Sequence, residues 1–296
     1  MQLVASAGLV PTSARTLSPF TLCRPRSAAA ALGLLRDGEQ PVLLAGGTDL
    51  VASFNEGLQP RELITLAGVT ELHQISADGR GLRIGAAVSH HSGSGHEALR
   101  LRAPGFARDW SRIASPRIRL TGTLGGNLMA RRTRYEAALL LSSLDVRLEF
   151  LTPQGAVQCP PQALWQGALG GLDQRPTLAG TPALLTHIVI DTHNLLASFH
   201  ERSLRPLLTL AGALRRGANG LRLRCAVATE YLAPVVLELA LSSNTLAQVV
   251  AQAAPIAEAL MAQLPDDFND PALSCDYARA AGTALLRRQL QGLADV

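Results

Sequence analysis

The chain has 296 residues, 47% of them hydrophobic and 17% charged, a composition typical of a folded globular protein long enough for two domains. All 27 basic residues are arginine, which excludes a Schiff-base lysine and the lysine of a P-loop or of a kinase strand. The net charge of +4 comes from scattered arginines, and aromatic residues make up only 4% of the chain. A base-stacking surface needs more aromatic residues, so we expect no nucleic-acid partner.

The apolar runs are too short to cross a bilayer, the longest lying at residues 184–190 and 233–241. The first eleven residues have no basic stretch of the kind that opens a secretory signal. We therefore expect no membrane span and a cytoplasmic location. Four cysteines are spread along the chain with no CxxC pair, which predicts free thiols and places any electron-transfer metal on another chain: Cys23, Cys159, Cys225 and Cys275.

In chain order, the pattern predicts a tail to about residue 17 and then a helix over 27–36, with Ser27 as its N-cap and Gly38 as its stop. A short strand over 41–45 runs into Gly46-Gly47-Thr48-Asp49. Further predicted elements are strands at 62–66 and 82–88, a helix at 96–113 interrupted near Pro104, a glycine-rich loop at 122–127, an apolar helix at 135–144, and an alternating strand at 146–150.

The second half begins with a turn at 153–155 and a Gly/Pro-rich stretch at 167–182, which is the first linker candidate. Beyond it the pattern predicts strands at 184–190 and 221–228, then a core helix at 246–264 and a last helix at 274–293. The mixture of separate strand and helix runs predicts an α+β protein.

The chemistry is expected at two glycine-rich segments, which we call the first glycine motif (residues 45–50) and the second glycine motif (residues 122–127). Consecutive glycines beside Thr or Asn let the backbone approach a ligand and point its N–H groups at oxygens, so a pyrophosphate can be held without lysine. Asp49 is positioned to accept hydrogen bonds from hydroxyls or from the motif itself. Each motif alone is also compatible with a plain strand-to-helix turn.

Three other patterns are weaker evidence of a functional site. Residues 93–98 match GxGxxA but lack the second strand and the later acidic residue of a Rossmann unit, so we interpret them as a loop. His90, His91 and His96 have only Glu97 as a potential metal-ligating neighbour, which favours loop or surface histidines. Sequence does not bring Asp49, Glu136 and His200 within reach of one another, so no catalytic or metal-binding residue is assigned.

Three segments together resemble the FAD-binding subunit of molybdenum hydroxylases, the group of xanthine dehydrogenase and aerobic carbon monoxide dehydrogenase. They are residues 20–50, which end in AGGTDL, residues 82–89 (LRIGAAVS) and residues 113–128 (IASPRIRLTGTLGGNL). The resemblance continues through ASFHERSLRP at 197–206 and SCDYARAAGTALLRRQL from Ser274. It covers nearly the whole chain from residue 20.

The resemblance implies a vanillyl-alcohol-oxidase-type FAD-binding domain of two subdomains over residues 18–192, followed by a smaller α+β domain of the carbon monoxide dehydrogenase flavoprotein type over residues 193–296. In such a fold the first glycine motif wraps the pyrophosphate and the second closes on it from the other subdomain. Ile113 and Leu185 would line the rings, Glu136 would meet a ribose hydroxyl or a polar flavin atom, and the role of His200 is left open. The implied cofactor-binding residues are Ala45, Gly46, Gly47, Thr48, Asp49, Leu50, Ile113, Thr123, Gly125, Gly126, Asn127, Glu136, Leu185 and His200.

The resemblance also implies non-covalent FAD as the cofactor, with the molybdenum cofactor on a large partner subunit and [2Fe–2S] clusters on a small one. Electrons would pass from those clusters through FAD to NAD, oxygen or a quinone, in a dimer of heterotrimers. The chain departs from the family pattern at residues 130–134 (ARRTR), where relatives carry small residues. Arg131 and Arg132 either contact phosphate or crowd the flavin. The second case corresponds to an FAD-free scaffold subunit of the same complex.

Overall fold

The computed structural model describes residues 18–165, 176–178, 180–204 and 207–295. The predicted N-terminal tail and most of the linker candidate lie outside these residues. The described strands are β1 (Thr21–Cys23), β2 (Pro41–Leu44), β3 (Glu62–Thr65), β4 (Ile75–Ala77), β5 (Gly81–Gly85), β6 (Asp145–Thr152), β7 (Gly155–Cys159), β8 (Thr177–Leu178), β9 (Thr181–Pro182), β10 (Leu184–Asp191), β11 (Leu195–Arg202), β12 (Leu208–Gly217), β13 (Gly220–Thr229) and β14 (Val235–Leu241).

Short helices fill the first half of the chain and a longer helical layer closes the second. They are α1 (Ala28–Asp37), α2 (Leu50–Glu56), α3 (His90–Ser94), α4 (Glu97–Arg102), α5 (Pro104–Trp110), α6 (Pro116–Thr121), α7 (Leu124–Met129), α8 (Glu136–Ser142), α9 (Leu246–Ala251), α10 (Ala253–Met261) and α11 (Cys275–Gln291). None of the described helices is both long enough and apolar enough to span a membrane.

The strands form three main sheets. A parallel sheet of order β1-β3-β2 packs on α1, and an antiparallel sheet of order β4-β5-β10-β6-β7 carries the largest apolar core. An antiparallel sheet of order β11-β12-β13-β14 is covered by α9, α10 and α11. The short strands β8 and β9 pair at the end of the predicted linker. This architecture confirms the α+β prediction.

The third sheet is buried on both faces, and one of them packs against the core of the second sheet. Leu210 and Leu214 of β12 point into the core formed with α9–α11. Ala211 and Ala213 alternate with them and belong to the core of the second sheet, and β12 and β13 both contact α8. Small side chains on that face let α8 approach closely. The first residue of α8, Glu136, is therefore held near the start of β12 and the end of β13.

Several predicted elements agree with the structure. Ser27 caps α1 by accepting a hydrogen bond from the backbone N–H of Ala30, and Gly38 ends the helix. The interruption near Pro104 separates α4 from α5, and β6 has the predicted alternation of buried residues.

Other predictions are wrong. Residues 93–98, interpreted as a loop, instead end α3 at Ser94 and begin α4 at Glu97, with only Gly95 and His96 between the two helices. Gly93 packs against the Trp110 ring so closely that a Cβ there would lie 2.0 Å from it. The predicted helix at 246–264 divides into α9 and α10 at Gln252, whose φ of −107° and ψ of 18° leave the helical region. The strands β11, β12 and β14 were not predicted.

Candidate functional site

A cavity of about 980 Å³ lies where the two glycine motifs meet, and we call it the central cavity. Its wall includes the first glycine motif, the second glycine motif, residues 129–136 and one end of the third sheet. Thirteen of the fourteen residues implied by the resemblance line it: Ala45, Gly46, Gly47, Thr48, Asp49, Leu50, Ile113, Thr123, Gly125, Gly126, Asn127, Glu136 and Leu185. Its size is in the range of cofactor and small-molecule sites.

The first glycine motif leaves β2 and enters α2 through a turn that only small residues allow. A Cβ on Gly46 would lie 2.1 Å from the carbonyl oxygen of Thr121, and Gly47 has a φ of +74°. Within the described residues, the backbone N–H groups of residues 46–49 have no hydrogen-bond acceptor. Successive unpaired N–H groups around a left-handed glycine form a concave site suited to anions.

Residues 124–127 of the second glycine motif are helical, which corrects the prediction of a loop there. Thr123 is the N-cap of α7, and its hydroxyl accepts a hydrogen bond from the Gly126 N–H over 3.1 Å. The N–H groups of Leu124 and Gly125 donate to carbonyl oxygens of Val88 and Ala86. These donors are already satisfied by the chain. What the motif offers the cavity is close backbone approach and the side chain of Asn127.

Asn127 carries a buried polar atom without a partner. Its Oδ1 accepts no hydrogen bond from any described residue, although the residue lines the cavity. A buried acceptor left unpaired destabilises the folded state, so such an atom points to a ligand donor. The unpaired N–H groups of the first motif and this acceptor give the cavity polar groups that suit a dinucleotide. Ile113 and Leu185, both buried, supply the apolar part of the wall.

Asp49 connects the two motifs. Its Oδ1 accepts a hydrogen bond of 2.7 Å from the Tyr135 hydroxyl, and Arg132 Nε lies 3.5 Å from the same oxygen. Arg132 Nη2 also lies 3.9 Å from Glu56 Oε2. Burial and then the bond to Asp49 raise the pKa of Tyr135 to about 12. Asp49 stands at the N-cap position of α2 without capping it, because its carboxylate is turned across the cavity.

Glu136 and His200 lie next to each other and form a pair, whereas the sequence analysis treated them as separate cofactor-binding residues. His200 Nε2 lies 3.5 Å from Glu136 Oε1, and Arg202 Nη1 lies 3.4 Å from the same oxygen. Glu136 and Arg202 line the cavity. His200 is not part of the cavity wall formed by the described residues, since it stands behind Glu136 with its side chain 6% exposed. The structure thus joins Glu136 to His200 but does not bring Asp49 to them through any recorded contact.

His90 corrects the expectation of a loop or surface histidine. It is 1% exposed and its Nδ1 accepts a hydrogen bond of 2.8 Å from the Trp110 indole N–H. Indole nitrogen only donates, so the neutral imidazole carries its proton on Nε2. Burial, followed by the nearby Arg119 charge, lowers the pKa of His90 to about 4. A neutral histidine therefore forms part of the cavity wall.

Sequence reasoning missed Tyr135, Arg202 and His90, which lie in the wall and have polar partners there. Tyr135 directly precedes Glu136, so its position beside an implied ligand was the available signal. Arg202 follows His200 by two positions, which puts both on one face of a strand once β11 is recognised. His90 had no local signal, because its partner Trp110 lies 20 residues away.

Comparison with known families gives the class of the protein. Residues 18–174 match the model of the family described as the FAD binding domain in molybdopterin dehydrogenase, and this segment contains both glycine motifs. The chain belongs to this family.

Curated relatives carry names from the same group. The chain is 26% identical over 178 residues to the nicotinate dehydrogenase FAD-subunit of Eubacterium barkeri, covering 59% of each chain. It is 32% identical over 151 residues to the carbon monoxide dehydrogenase medium chain of Afipia carboxidovorans, covering 50% of this chain and 52% of that one. The matches thus span about half the length of the curated relatives, or slightly more.

Solved structures share the fold over nearly the whole chain. A chain of quinoline 2-oxidoreductase from Pseudomonas putida 86 superposes with a TM-score of 0.73, at 19% identity and 95% coverage of this chain and 99% of that one. A chain of carbon monoxide dehydrogenase from Hydrogenophaga pseudoflava gives 0.71, at 22% identity, with coverage of 93% and 96%. At these identities the likeness concerns the fold.

Proposed function

We propose that this chain binds FAD non-covalently in the central cavity and acts as the electron-transfer flavoprotein subunit of a molybdenum hydroxylase-type dehydrogenase. One observation carries the proposal: the family match includes both glycine motifs, and both line one cavity. The polar fit lies in the unpaired N–H groups of residues 46–49 and in Asn127 Oδ1. The domain division that goes with the proposal is residues 18–192 for FAD binding and 193–296 for the C-terminal domain.

The residues of the chain have distinct tasks in this proposal. The N–H groups of the first glycine motif hold the diphosphate, and Asn127 accepts a hydrogen bond from the cofactor. Ile113 and Leu185 present apolar surface to its rings and exclude water. When bound, FAD supplies the ability to take up and release electrons singly or in pairs.

Glu136 is the charged residue that we place against a ribose hydroxyl or a polar flavin atom. It is only 14% exposed, and the Arg202 guanidinium lies beside it. Arg202 Nη1 lies 3.4 Å from Glu136 Oε1 and supplies a positive charge, and His200 Nε2 lies 3.5 Å from the same oxygen. We therefore treat His200 as a positioning residue that orients Glu136 from behind the cavity wall.

The proposed partners are a large subunit with the molybdenum cofactor and a small subunit with [2Fe–2S] clusters. Electrons would enter from the clusters and leave to NAD, oxygen or a quinone, in a cytoplasmic dimer of heterotrimers. The names of the relatives, which include an FAD-subunit and a medium chain, support a role within a multi-subunit enzyme. The four cysteines are spread along the sequence without a CxxC pair, a spacing that favours clusters on another chain.

The absorption spectrum of the purified full chain tests this function. We expect the visible bands of an oxidised flavin, with FAD released into the supernatant when the protein is denatured, since the cofactor is not covalently attached. A chain that stays colourless after incubation with FAD, alone and with its partner subunits, would contradict the proposal. That result would support the FAD-free scaffold. Copurification of the partner subunits with an affinity-tagged chain tests the assembly separately.

A further inference from the structure

Arg132 stands closer to the first glycine motif than its place in the sequence suggests. Arg131 has a φ of +48°, and the N–H of Tyr135 bonds to the Arg132 carbonyl oxygen over 2.9 Å, so the chain turns sharply after α7. This turn directs the Arg132 guanidinium across the cavity to Asp49, at 3.5 Å. Its side chain is 36% exposed, so it is accessible from the cavity.

The first glycine motif places a carboxylate close to its anion-binding N–H groups, and Arg132 can balance this negative charge. Its unpaired N–H groups suit an anion, yet the motif also contains the carboxylate of Asp49. A diphosphate held by these N–H groups would be repelled by that carboxylate in a partly desolvated site. A cation in contact with Asp49 removes the repulsion.

The guanidinium keeps donors for a second anion while it contacts the acidic side chains. Arginine has five N–H donors in a planar fork, which matches phosphate oxygens. The recorded contacts of Arg132 use Nε with Asp49 and Nη2 with Glu56. Among the described residues, Nη1 forms no hydrogen bond or ion pair. Of the arginines in the cavity wall, Arg202 is instead engaged with Glu136.

We propose that Arg132 recognises the diphosphate of the cofactor and selects FAD over phosphate-free flavins. The inference rests on the proposed function and deepens it, because it decides between the two interpretations of the arginines at 131 and 132. Arg132 contacts phosphate and does not crowd the flavin. Its salt bridge with Asp49 balances that carboxylate, and its free donors bind the diphosphate oxygens.

The test compares FAD and riboflavin binding to the full chain, followed by quenching of flavin fluorescence, for the wild type and three variants. Arg132→Gln removes the charge, Arg132→Lys keeps the charge without the fork, and Arg117→Gln is the matched control. Arg117 is an exposed residue of α6 outside the cavity wall, and its loss changes the net charge by the same amount.

We expect Arg132→Gln to weaken FAD binding about tenfold to a hundredfold, the range for one charge-assisted hydrogen-bonded contact. Riboflavin binding should change by less than about twofold, and Arg132→Lys should recover part of the FAD affinity. The salt dependence of FAD binding should become flatter in Arg132→Gln, because a screened charge pair is lost. Arg117→Gln should bind FAD like the wild type.

Two results would overturn the inference while leaving the proposed function in place. One is FAD affinity unchanged in Arg132→Gln, and the other is an equal loss for FAD and riboflavin in a folded variant. If circular dichroism shows that Arg132→Gln does not fold, Arg132→Lys provides the test. A ratio of FAD affinity to riboflavin affinity that equals the wild-type ratio at every salt concentration would contradict phosphate recognition by the planar guanidinium. A wild-type chain that binds neither flavin, alone or with its partner subunits, overturns the proposed function itself.

Discussion

The phenol of Tyr135 donates a hydrogen bond of 2.7 Å to Asp49 Oδ1, across 86 residues of sequence. The bond ties the segment after α7 to the first glycine motif, so it closes one side of the central cavity. Two consequences follow from it, one for titration and one for stability.

The titration of Tyr135 reports this bond. Replacing Asp49 by Asn removes a negative charge and a strong acceptor, so the pKa of Tyr135 should fall from about 12 but stay above its ordinary value, because burial is the largest cause of the shift. Absorbance of tyrosinate during a pH titration measures it. The chain has three tyrosines, and Tyr135→Phe identifies the relevant step. An unchanged titration in Asp49→Asn would show that the bond is absent in solution.

The same group makes stability depend on alkaline pH. The folded-state pKa of Tyr135 lies above its unfolded value of about 10, so its stabilising contribution is present below pH 10 and is lost as pH rises through 12. The free energy of unfolding should therefore fall more steeply between pH 10 and 12 in the wild type than in Tyr135→Phe. Urea unfolding at several pH values checks this. Tyr231→Phe, at an exposed tyrosine, should keep the wild-type slope.

Gly46 is required by the contact between the two glycine motifs. A Cβ there would lie 2.1 Å from the Thr121 carbonyl oxygen and 2.8 Å from Gly122 Cα, both backbone atoms that cannot rotate away. We expect Gly46→Ala to lower the free energy of unfolding by about 2 kcal/mol or more and to weaken FAD binding. Thermal or urea unfolding measures the first and fluorescence titration the second.

Gly33 provides the opposite case for comparison. It lies inside α1, and a Cβ there would meet nothing within 4 Å. Gly33→Ala should stabilise the protein by about 0.5–1 kcal/mol, because alanine has the higher helix propensity. Equal effects of the two substitutions would contradict the close approach of the motifs at Gly46.

Local signals in the sequence were sufficient to predict an element where one of its faces is buried or its ends are capped. The Ser27 cap and the apolar spacing of α1 are of this kind, as is the alternation in β6. The strand β12 has no such signal. Both its faces are buried, Leu210 against the C-terminal helices and Ala211 towards α8, so apolar residues stand on both faces and the apolar–polar alternation of a half-exposed strand is missing.

The candidate site likewise has a part that could be predicted from local sequence and a part that could not. The glycine motifs were recognisable because their chemistry is local, in consecutive residues. The contacts of Asp49 with Tyr135 and Arg132, and of His90 with Trp110, join distant segments and follow only from the fold. The helical form of the second glycine motif was missed because Thr123 acts as its cap, and glycines lower helix propensity in any local estimate.

His90 should make the protein sensitive to mild acid. Its folded-state pKa is about 4, below the ordinary value of 6.5, so the unfolded chain binds a proton first as pH falls. The stabilising contribution is complete above pH 6.5 and is lost as pH falls towards 4, by about 3 kcal/mol in total. His90→Gln removes this titration and keeps an acceptor for Trp110. The stability difference between wild type and variant should therefore shrink or change sign between pH 7 and pH 4.

Unfolding in urea across this pH range isolates the contribution, because the other titrating groups are common to both proteins. His91→Gln is the control, since His91 is exposed on the same helix. A stability difference between wild type and His90→Gln that stays constant from pH 7 to pH 4 would show that the imidazole is not buried as described.

Asp145 is the point where the second and third sheets are joined by charge. It begins β6, and three arginines of β12 and β13 converge on its carboxylate: Arg215 at 3.2 Å, Arg222 at 3.0 Å and Arg224 at 2.9 Å. Burial lowers the pKa of Arg215, whose side chain is 6% exposed and whose other donors reach the carbonyl oxygens of Asp191 and His193. Removing the shared anion would leave these cations facing one another.

Asp145→Asn should therefore destabilise the protein by about 2 kcal/mol, less than a fully buried pair because the carboxylate is 34% exposed. Asp37→Asn removes an exposed partner of Arg36 and should leave the free energy of unfolding nearly unchanged. Urea unfolding measures both. Raised salt should reduce the loss in Asp145→Asn, since screening weakens the repulsion that remains among the arginines. A loss no larger than that of Asp37→Asn would mean that the sheets are joined by their apolar contacts, with α8 between them, and not by these charges.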